Sequence, residues 1–148
     1  MPTTRVTRTL AATPEAVWAV VADPHHQPRW WPRVRRMEGV ADDRWTQVLA
    51  TSRGKGVRAD FRLLEHERGR LLRWEQELDG SPFAPLLERA ETTVSLEPAA
   101  APLGGTDVAI ELRQQLRGWS RLVPFLFRRA ARRQLAEALE GLERALGG

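Results

Sequence analysis

The chain has 148 residues, 42% of them hydrophobic, and this length and composition predict one domain, residues 1–148, with an ordinary buried core. It contains no cysteine, which excludes disulfides, thiolate metal ligands and a thiol nucleophile. The net charge of +4 is carried by arginine, because Lys55 is the only lysine, and this bias is typical of a GC-rich bacterial genome.

The sequence also bears on membranes and on the cellular compartment. The first five residues lead into an alternating stretch and not into an apolar run of signal-peptide length. No segment approaches the roughly 20 apolar residues of a membrane-spanning helix. We therefore expect a cytoplasmic protein that does not insert into a membrane.

The first third of the chain predicts one strand followed by two short helices. Residues 5–10 alternate between polar and apolar side chains, as in a strand. Thr13 then suits the N-cap of a helix and Pro14 suits its first position. That helix is expected to end near Asp23, because the residue before a proline disfavours helical backbone. A second short helix fits residues 25–31.

Turn-like sequences divide the middle of the chain into short alternating runs, a pattern that predicts antiparallel hairpins. The turns fall at residues 41–43, 52–54, 67–69 and 103–105. In each run one parity is apolar and the other is largely charged, so each strand has one dry face and one wet face. Residues 79–85 contain too much proline for a central strand and predict a loop with an exposed or lidding Phe83. We predict a meander of six or seven strands, counting the first.

The last third of the chain changes to a helical period. Apolar residues recur every three or four positions from Val123 to Leu146, with arginine and glutamate around the remaining surface. This pattern predicts one long amphipathic helix that ends at the glycine pair 147–148. Its apolar stripe is small at Ala130 and Ala131 and rich in leucine further on. A sheet facing this helix would therefore leave space near the alanines.

The order of these elements resembles the START-like superfamily, also called SRPBCC. The resemblance is most specific within residues 11–34, where residues 12–18 and 28–32 are similar to the opening of its polyketide cyclase/dehydrase and lipid-transport branch. The resemblance implies an α+β helix-grip fold, in which a curved antiparallel sheet wraps around a long C-terminal helix. It also implies a pocket between sheet and helix for hydrophobic or aromatic ligands. The family has no universal catalytic motif, so no residue inherits a catalytic role, and the fold alone does not choose a function.

Polar and aromatic side chains on the inward parity are the candidate ligand contacts. An unpartnered buried amide costs roughly 1 to 3 kcal/mol, so the inward glutamines are expected to bond either a ligand or one another, the backbone and water. Tryptophans supply apolar wall, although each is also a natural core residue. The predicted ligand-binding residues are Trp31, Trp45, Gln47, Phe61, Trp74, Gln76, Phe83, Gln114 and Phe127.

The sequence offers no convergent catalytic or metal-binding set. Tyrosine is absent, and the three histidines fall at helix or strand edges, where exposure is expected. Asp60 and Arg58 share the polar face of a strand, where ion pairing is expected. No metal-ligand spacing is present, and no cofactor is expected. We predict a carrier or sensor of a small hydrophobic or aromatic metabolite, such as a lipid, polyketide-like or isoprenoid compound. A polyketide cyclase/dehydratase-type enzyme is the alternative.

Two arginine pairs, Arg128-Arg129 and Arg132-Arg133, lie one turn apart near the start of the last helix. As a functional site they would bind nucleic acid, a ribosome or an anionic membrane, which gives a second alternative function. The solvated face of an amphipathic helix also explains them, and we expect no nucleic-acid partner. The predicted partner is a small hydrophobic molecule, and nothing in the sequence indicates an oligomeric state.

Overall fold

The computed structural model describes residues 2–51, 54, 56–100 and 104–147. The predicted turns at 52–54 and 103–105 and the final glycine lie partly or wholly outside these residues. The elements are, in order, β1 (Thr3–Leu10), α1 (Pro14–Val21), a 3₁₀ helix (Pro24–His26), α2 (Gln27–Trp30), β2 (Val34–Glu38), β3 (Arg44–Leu49), β4 (Val57–Glu67), β5 (Leu71–Glu77), β6 (Leu87–Pro98), β7 (Thr106–Leu116), a second 3₁₀ helix (Gly118–Leu122) and α3 (Pro124–Ala145).

The strands of the described residues form one seven-stranded sheet in the order β1-β7-β6-β5-β4-β3-β2. Neighbouring strands pair antiparallel throughout, so β2 to β7 form a continuous meander and β1 lies beside the last strand. The predicted order of strand, two short helices, meander and long helix is confirmed. The architecture is an α+β helix-grip fold.

The alternation of polar and apolar residues predicts which side chains of a strand face the core, up to the point where a register shift occurs. In β7, Val108 and Ile110 are buried whereas Asp107 is exposed, as the alternating pattern predicts. In β4, a register shift falls between Leu63 and Glu65, and beyond it His66 stands opposite Leu72 of β5. A bulge of this kind changes which parity faces inward, so sequence parity is reliable only up to that point.

The first two helical segments after β1 each begin with a side-chain cap, of which Thr13 is the predicted one, and the second segment begins at Pro24, one residue before the predicted start. The Thr13 side chain accepts a hydrogen bond from the Ala16 amide at 3.2 Å, which caps α1. Asp23 caps the following 3₁₀ helix by accepting from the His25 amide at 3.0 Å. Short capped helices of this kind cover one end of the sheet without a long crossing connection.

The C-terminal helix is buried mainly along its second half. Leu135, Leu139 and Leu142 of α3 are at most 1% exposed, and they pack in the main core. At Gly141 the helix approaches α2 so closely that a Cβ atom would lie 2.3 Å from the Trp30 carbonyl oxygen. No helix in the described part of the chain is both long and apolar enough to cross a membrane.

Candidate ligand-binding site

Five aromatic rings form a connected group, here called the tryptophan cluster, which joins α2 to the middle of the sheet. Trp30 and Trp31 meet edge to face with centroids 5.3 Å apart. Trp74 lies between Trp31 and Trp45, at 6.0 and 5.9 Å. Phe61 stacks on Trp45 at 6.2 Å. The four tryptophans are at most 7% exposed, so this cluster fills the interior that the sequence analysis assigned to a ligand.

A small cavity of about 100 Å³ borders the tryptophan cluster. Its walls include Trp45 and Trp74 together with Gln27 and His66. Since liquid water takes about 30 Å³ per molecule, this space suits a few waters. It lies well below the roughly 300 Å³ at which pockets begin to hold metabolites.

Two kinds of buried polar group lie beside these rings. Gln47 donates from Nε2 to Oε1 of Gln27 at 2.6 Å, so its amide bonds a glutamine that the sequence analysis did not consider. The indole nitrogens of Trp30 and Trp45 are buried and have no hydrogen-bond partner within the described residues. An unmet buried donor costs roughly 1 to 3 kcal/mol, which a bound acceptor group would recover.

A second cavity of about 310 Å³, here called the helix cavity, lies against the first half of α3. It occurs where the apolar stripe of α3 is reduced to alanine, so the space expected near these small side chains is present. Its apolar lining is Pro32, Phe127, Ala130 and Ala131. Its polar lining is Arg33, Gln114, Arg133, Gln134 and Glu137.

Arg33, which lines the helix cavity, has an unusual backbone conformation. Its φ of 67° makes it the one non-glycine residue with positive φ in the described ranges. This left-handed conformation costs an ordinary residue roughly 1 to 2 kcal/mol. The Arg33 carbonyl accepts a hydrogen bond from the Ala50 amide at 2.8 Å, which holds the conformation in place. Backbone strain of this kind concentrates at binding and active sites.

Phe83 and Phe127 belong to a separate small core beside the helix cavity. Both side chains are half-buried and pack on the buried residues Leu78, Leu87, Ala90 and Leu116. Phe127 also lines the helix cavity, whereas Phe83 is not among its lining residues. Phe83 is therefore a packed side chain of its loop and not a freely exposed one.

The structure distributes the predicted site residues over several environments. It brings Gln114 and Phe127 to the helix cavity. The interior takes Trp31, Trp45, Gln47, Phe61 and Trp74, whereas Gln76 is half-buried on β5, opposite Phe61 of β4.

Five lining residues of the helix cavity were not predicted from the sequence: Pro32, Arg33, Arg133, Gln134 and Glu137. Pro32 and Arg33 lie in the connection between α2 and β2, where no alternation of polar and apolar residues indicates which side chains face inward. Gln134 lies four positions after Ala130, so helical spacing could have found it.

Residues 1–147 match the family described as polyketide cyclase/dehydrase and lipid transport. The chain belongs to this family. The helix-grip fold described above agrees with membership in the polyketide cyclase/dehydrase and lipid transport family. Comparison with curated proteins gives no significant match.

Solved structures of other proteins share this fold. A protein from Thermus thermophilus has a TM-score of 0.76 and 23% identity, over 98% of this chain and 97% of that chain. A START superfamily protein from Mycobacterium smegmatis has a TM-score of 0.76 and 14% identity, over 97% and 96%. A conserved protein from Geobacillus kaustophilus has a TM-score of 0.77 and 13% identity, over 98% and 95%. At these identities the likeness shows the START-like fold alone.

Proposed function

We propose that this protein binds a small hydrophobic or aromatic metabolite in the helix cavity and acts as its carrier or sensor. The observation that carries the proposal is a cavity of about 310 Å³ in which Pro32, Phe127 and two alanines lie opposite five polar side chains. Pockets for small ligands begin at roughly 300 Å³ and combine apolar walls with polar groups that orient the ligand. The membership in a family of lipid transport and polyketide chemistry supports the same class of ligand.

The tryptophan cluster limits the size of the ligand. Trp31, Trp45 and Trp74 occupy the interior at 7%, 4% and 2% exposure, so a long acyl chain would have to displace packed rings. A compact molecule of one or two rings fits the helix cavity without that rearrangement. We therefore place the ligand against Phe127 and the alanines, outside the tryptophan cluster.

Gln114 and Arg33 are the proposed polar contacts of the ligand. Gln114 is half-buried on β7, and both side chains line the helix cavity. Gln47 already has Gln27 as a partner, which leaves it a structural role. Gln76 and Phe83 stay predictions, because each is half-buried but lies outside the lining of the helix cavity.

The expected affinity follows from the area that such a ligand buries. A compact ligand that buries on the order of 300 Å² of apolar surface gains about 7 kcal/mol at 25 cal/mol per Å². The loss of translational and rotational freedom removes several kcal/mol of this gain. The remaining free energy corresponds to a dissociation constant in the micromolar range or weaker.

Native mass spectrometry of freshly purified protein identifies the co-purifying molecule, which is then titrated into the apo-protein and two variants. Ala130→Trp adds an indole at the cavity wall, and we expect it to abolish binding while the fold persists. Glu140→Trp adds the same indole to an exposed position of α3 outside the cavity, and we expect it to bind as the unmodified protein does. Unchanged binding by Ala130→Trp would place the ligand elsewhere. Recovery of a chemically altered ligand would favour the cyclase/dehydratase alternative.

A further inference from the structure

The segment that leads into α3 carries an exposed apolar patch. Trp119, Leu122, Phe125 and Leu126 are 63%, 81%, 63% and 48% exposed, and together they are the exposed large hydrophobic side chains of the described residues. Single exposed apolar residues are ordinary, but a group within eight residues marks a surface that contacts something else. We call these four residues the apolar patch.

The same segment carries unbalanced positive charge. Residues 114–136 contain six arginines and neither aspartate nor glutamate. On the sheet, by contrast, arginines such as Arg8 and Arg44 have carboxylate partners, at 2.9 and 3.2 Å. Within the described ranges, Arg128, Arg129 and Arg132 form no ion pair. Arg133 pairs with Glu137 at 3.7 Å on an exposed surface, and the remaining charge of this segment is available to an external partner.

Helix stability does not explain these arginines. The N-terminus of a helix is the positive end of its macrodipole, where cations are unfavourable and carboxylates are favourable. In α3 the first turn contains no acidic residue, and the N-cap Val123 provides no side-chain hydrogen bond. Four arginines follow at the fifth to tenth positions of α3, beyond the first turn in which the macrodipole acts, so they gain nothing from it. A helix start with neither an acidic residue nor a side-chain cap, followed by a run of arginines, breaks a local rule without a structural compensation and points to function.

We propose that the apolar patch and the arginines of α3 dock the protein on an anionic lipid bilayer. Tryptophan, phenylalanine and leucine next to arginine are the composition of segments that lie at the headgroup boundary. Leu126 and Arg129 are three positions apart, and Arg133 follows after four, so the three share one face of α3. The acidic residue Glu137 comes next on that face, which confines the docking surface to the first half of the helix.

Other partners fit these observations less well. A nucleic acid would pair with the arginines but would give no role to the exposed leucines. A second copy of the chain would bring like-charged segments together across a two-fold axis. Docking on lipid uses both the apolar and the basic side chains. It is adsorption to the surface and needs no segment that crosses the bilayer, and it does not depend on a ligand in the helix cavity.

Co-sedimentation of the full chain with vesicles tests the proposal. The probes are vesicles of phosphatidylcholine alone and of phosphatidylcholine with about one third of phosphatidylglycerol, whose headgroup gives the surface a negative potential. We expect binding to the mixed vesicles that weakens as salt is raised, because salt screens surface charge. We expect little binding to phosphatidylcholine alone. Absence of binding to the mixed vesicles at low salt would overturn the proposal.

Three double variants locate the docking surface, and melting temperature confirms that each is folded. Arg129→Gln with Arg133→Gln is expected to weaken partitioning to the mixed vesicles by about tenfold or more, because each basic side chain near an anionic surface contributes appreciably. Phe125→Ser with Leu126→Ser, which removes apolar area alone, is expected to weaken it as well.

The control is Arg68→Gln with Arg70→Gln, in the turn between β4 and β5. This turn adjoins the end of β6, near Ser95. The segment after β7 instead hydrogen-bonds to Leu86, just before the start of β6, so the control and the docking surface lie towards opposite ends of that strand. The control removes the same charge, and we expect unchanged binding. An equal loss in the control would overturn the assignment of the surface. Oligonucleotide binding that survives Phe125→Ser with Leu126→Ser, without vesicle binding, would assign the arginines to nucleic acid.

Discussion

Gln47 of β3 donates a hydrogen bond to Gln27 of α2 at 2.6 Å, and both side chains are at most 2% exposed. Gln47→Leu removes the donor and leaves the Gln27 carbonyl oxygen buried, so we expect a loss of about 1 to 3 kcal/mol of unfolding free energy. The double variant Gln27→Leu with Gln47→Leu removes both polar groups and is expected to be more stable than the single variant. Urea unfolding of the unmodified protein and the two variants measures this, and a double variant less stable than Gln47→Leu would contradict it.

Trp74 is expected to contribute far more to stability than Trp119, although the truncation to alanine is the same. Trp74 is 2% exposed and contacts two other tryptophans, whereas Trp119 is 63% exposed. Trp74→Ala should cost about 3 to 5 kcal/mol, because it empties a packed site. Trp119→Ala should stay within about 0.5 kcal/mol of the unmodified protein. Denaturant unfolding compares the two, and a similar cost for both would contradict the burial of the tryptophan cluster.

Gly141 is required by the close approach of α3 to α2. Alanine normally favours a helix over glycine by about 1 kcal/mol. In Gly141→Ala, however, the new Cβ would meet the Trp30 carbonyl oxygen at 2.3 Å, so we expect a net loss of about 1 to 3 kcal/mol. Glu140→Ala, on the exposed side of the same turn, is the control and should change stability by less than about 0.5 kcal/mol. A stabilised Gly141→Ala protein would show that the two helices separate without cost.

A substitution of Arg33 is expected to affect the stability of the protein and its affinity for the proposed ligand in different ways. Asparagine adopts positive φ more readily than arginine, so Arg33→Asn is expected to leave the melting temperature unchanged or raise it. The same variant removes the guanidinium from the helix cavity and should weaken a ligand with a polar or acidic end by about fivefold or more. Thermal unfolding and a ligand titration measure both effects. Lower stability together with unchanged affinity would contradict a role in binding.

Asp23 gives a small pH dependence of stability. Partial burial acts to raise the pKa of Asp23, but hydrogen bonds from the His25 amide and ring, with the charges of His25 and His26, hold that pKa below its usual value. The carboxylate therefore stabilises the fold above about pH 4, and the stabilisation is lost as pH falls through the lower folded value. Asp23→Asn should be less stable at pH 6 by less than about 1 kcal/mol, since the side chain is 44% exposed. Melting curves from pH 6 to pH 2 should converge; a difference that grows towards low pH would contradict this sign.

The order of elements and the inward faces of the strands could be predicted because they are local. Thr13 and Pro14 indicate the start of α1 from the N-cap and the first helical position alone. The alternation around Val108 and Ile110 predicts which face of β7 is buried. The helical period of α3, with its narrow alanine stretch, likewise indicates where space remains beside the helix. Each of these signals depends on neighbours within one or two turns of chain.

Only the tertiary structure decided which inward residues meet one another. Trp31, Trp45 and Trp74 lie far apart in the chain, and their contact depends on the register of β3 to β5 and on where α2 rests on the sheet. The same geometry gives Gln47 its partner Gln27 and leaves the helix cavity beside α3. Periodicity assigns a side chain to a face, but the volume that remains on that face depends on what the other layer brings to it.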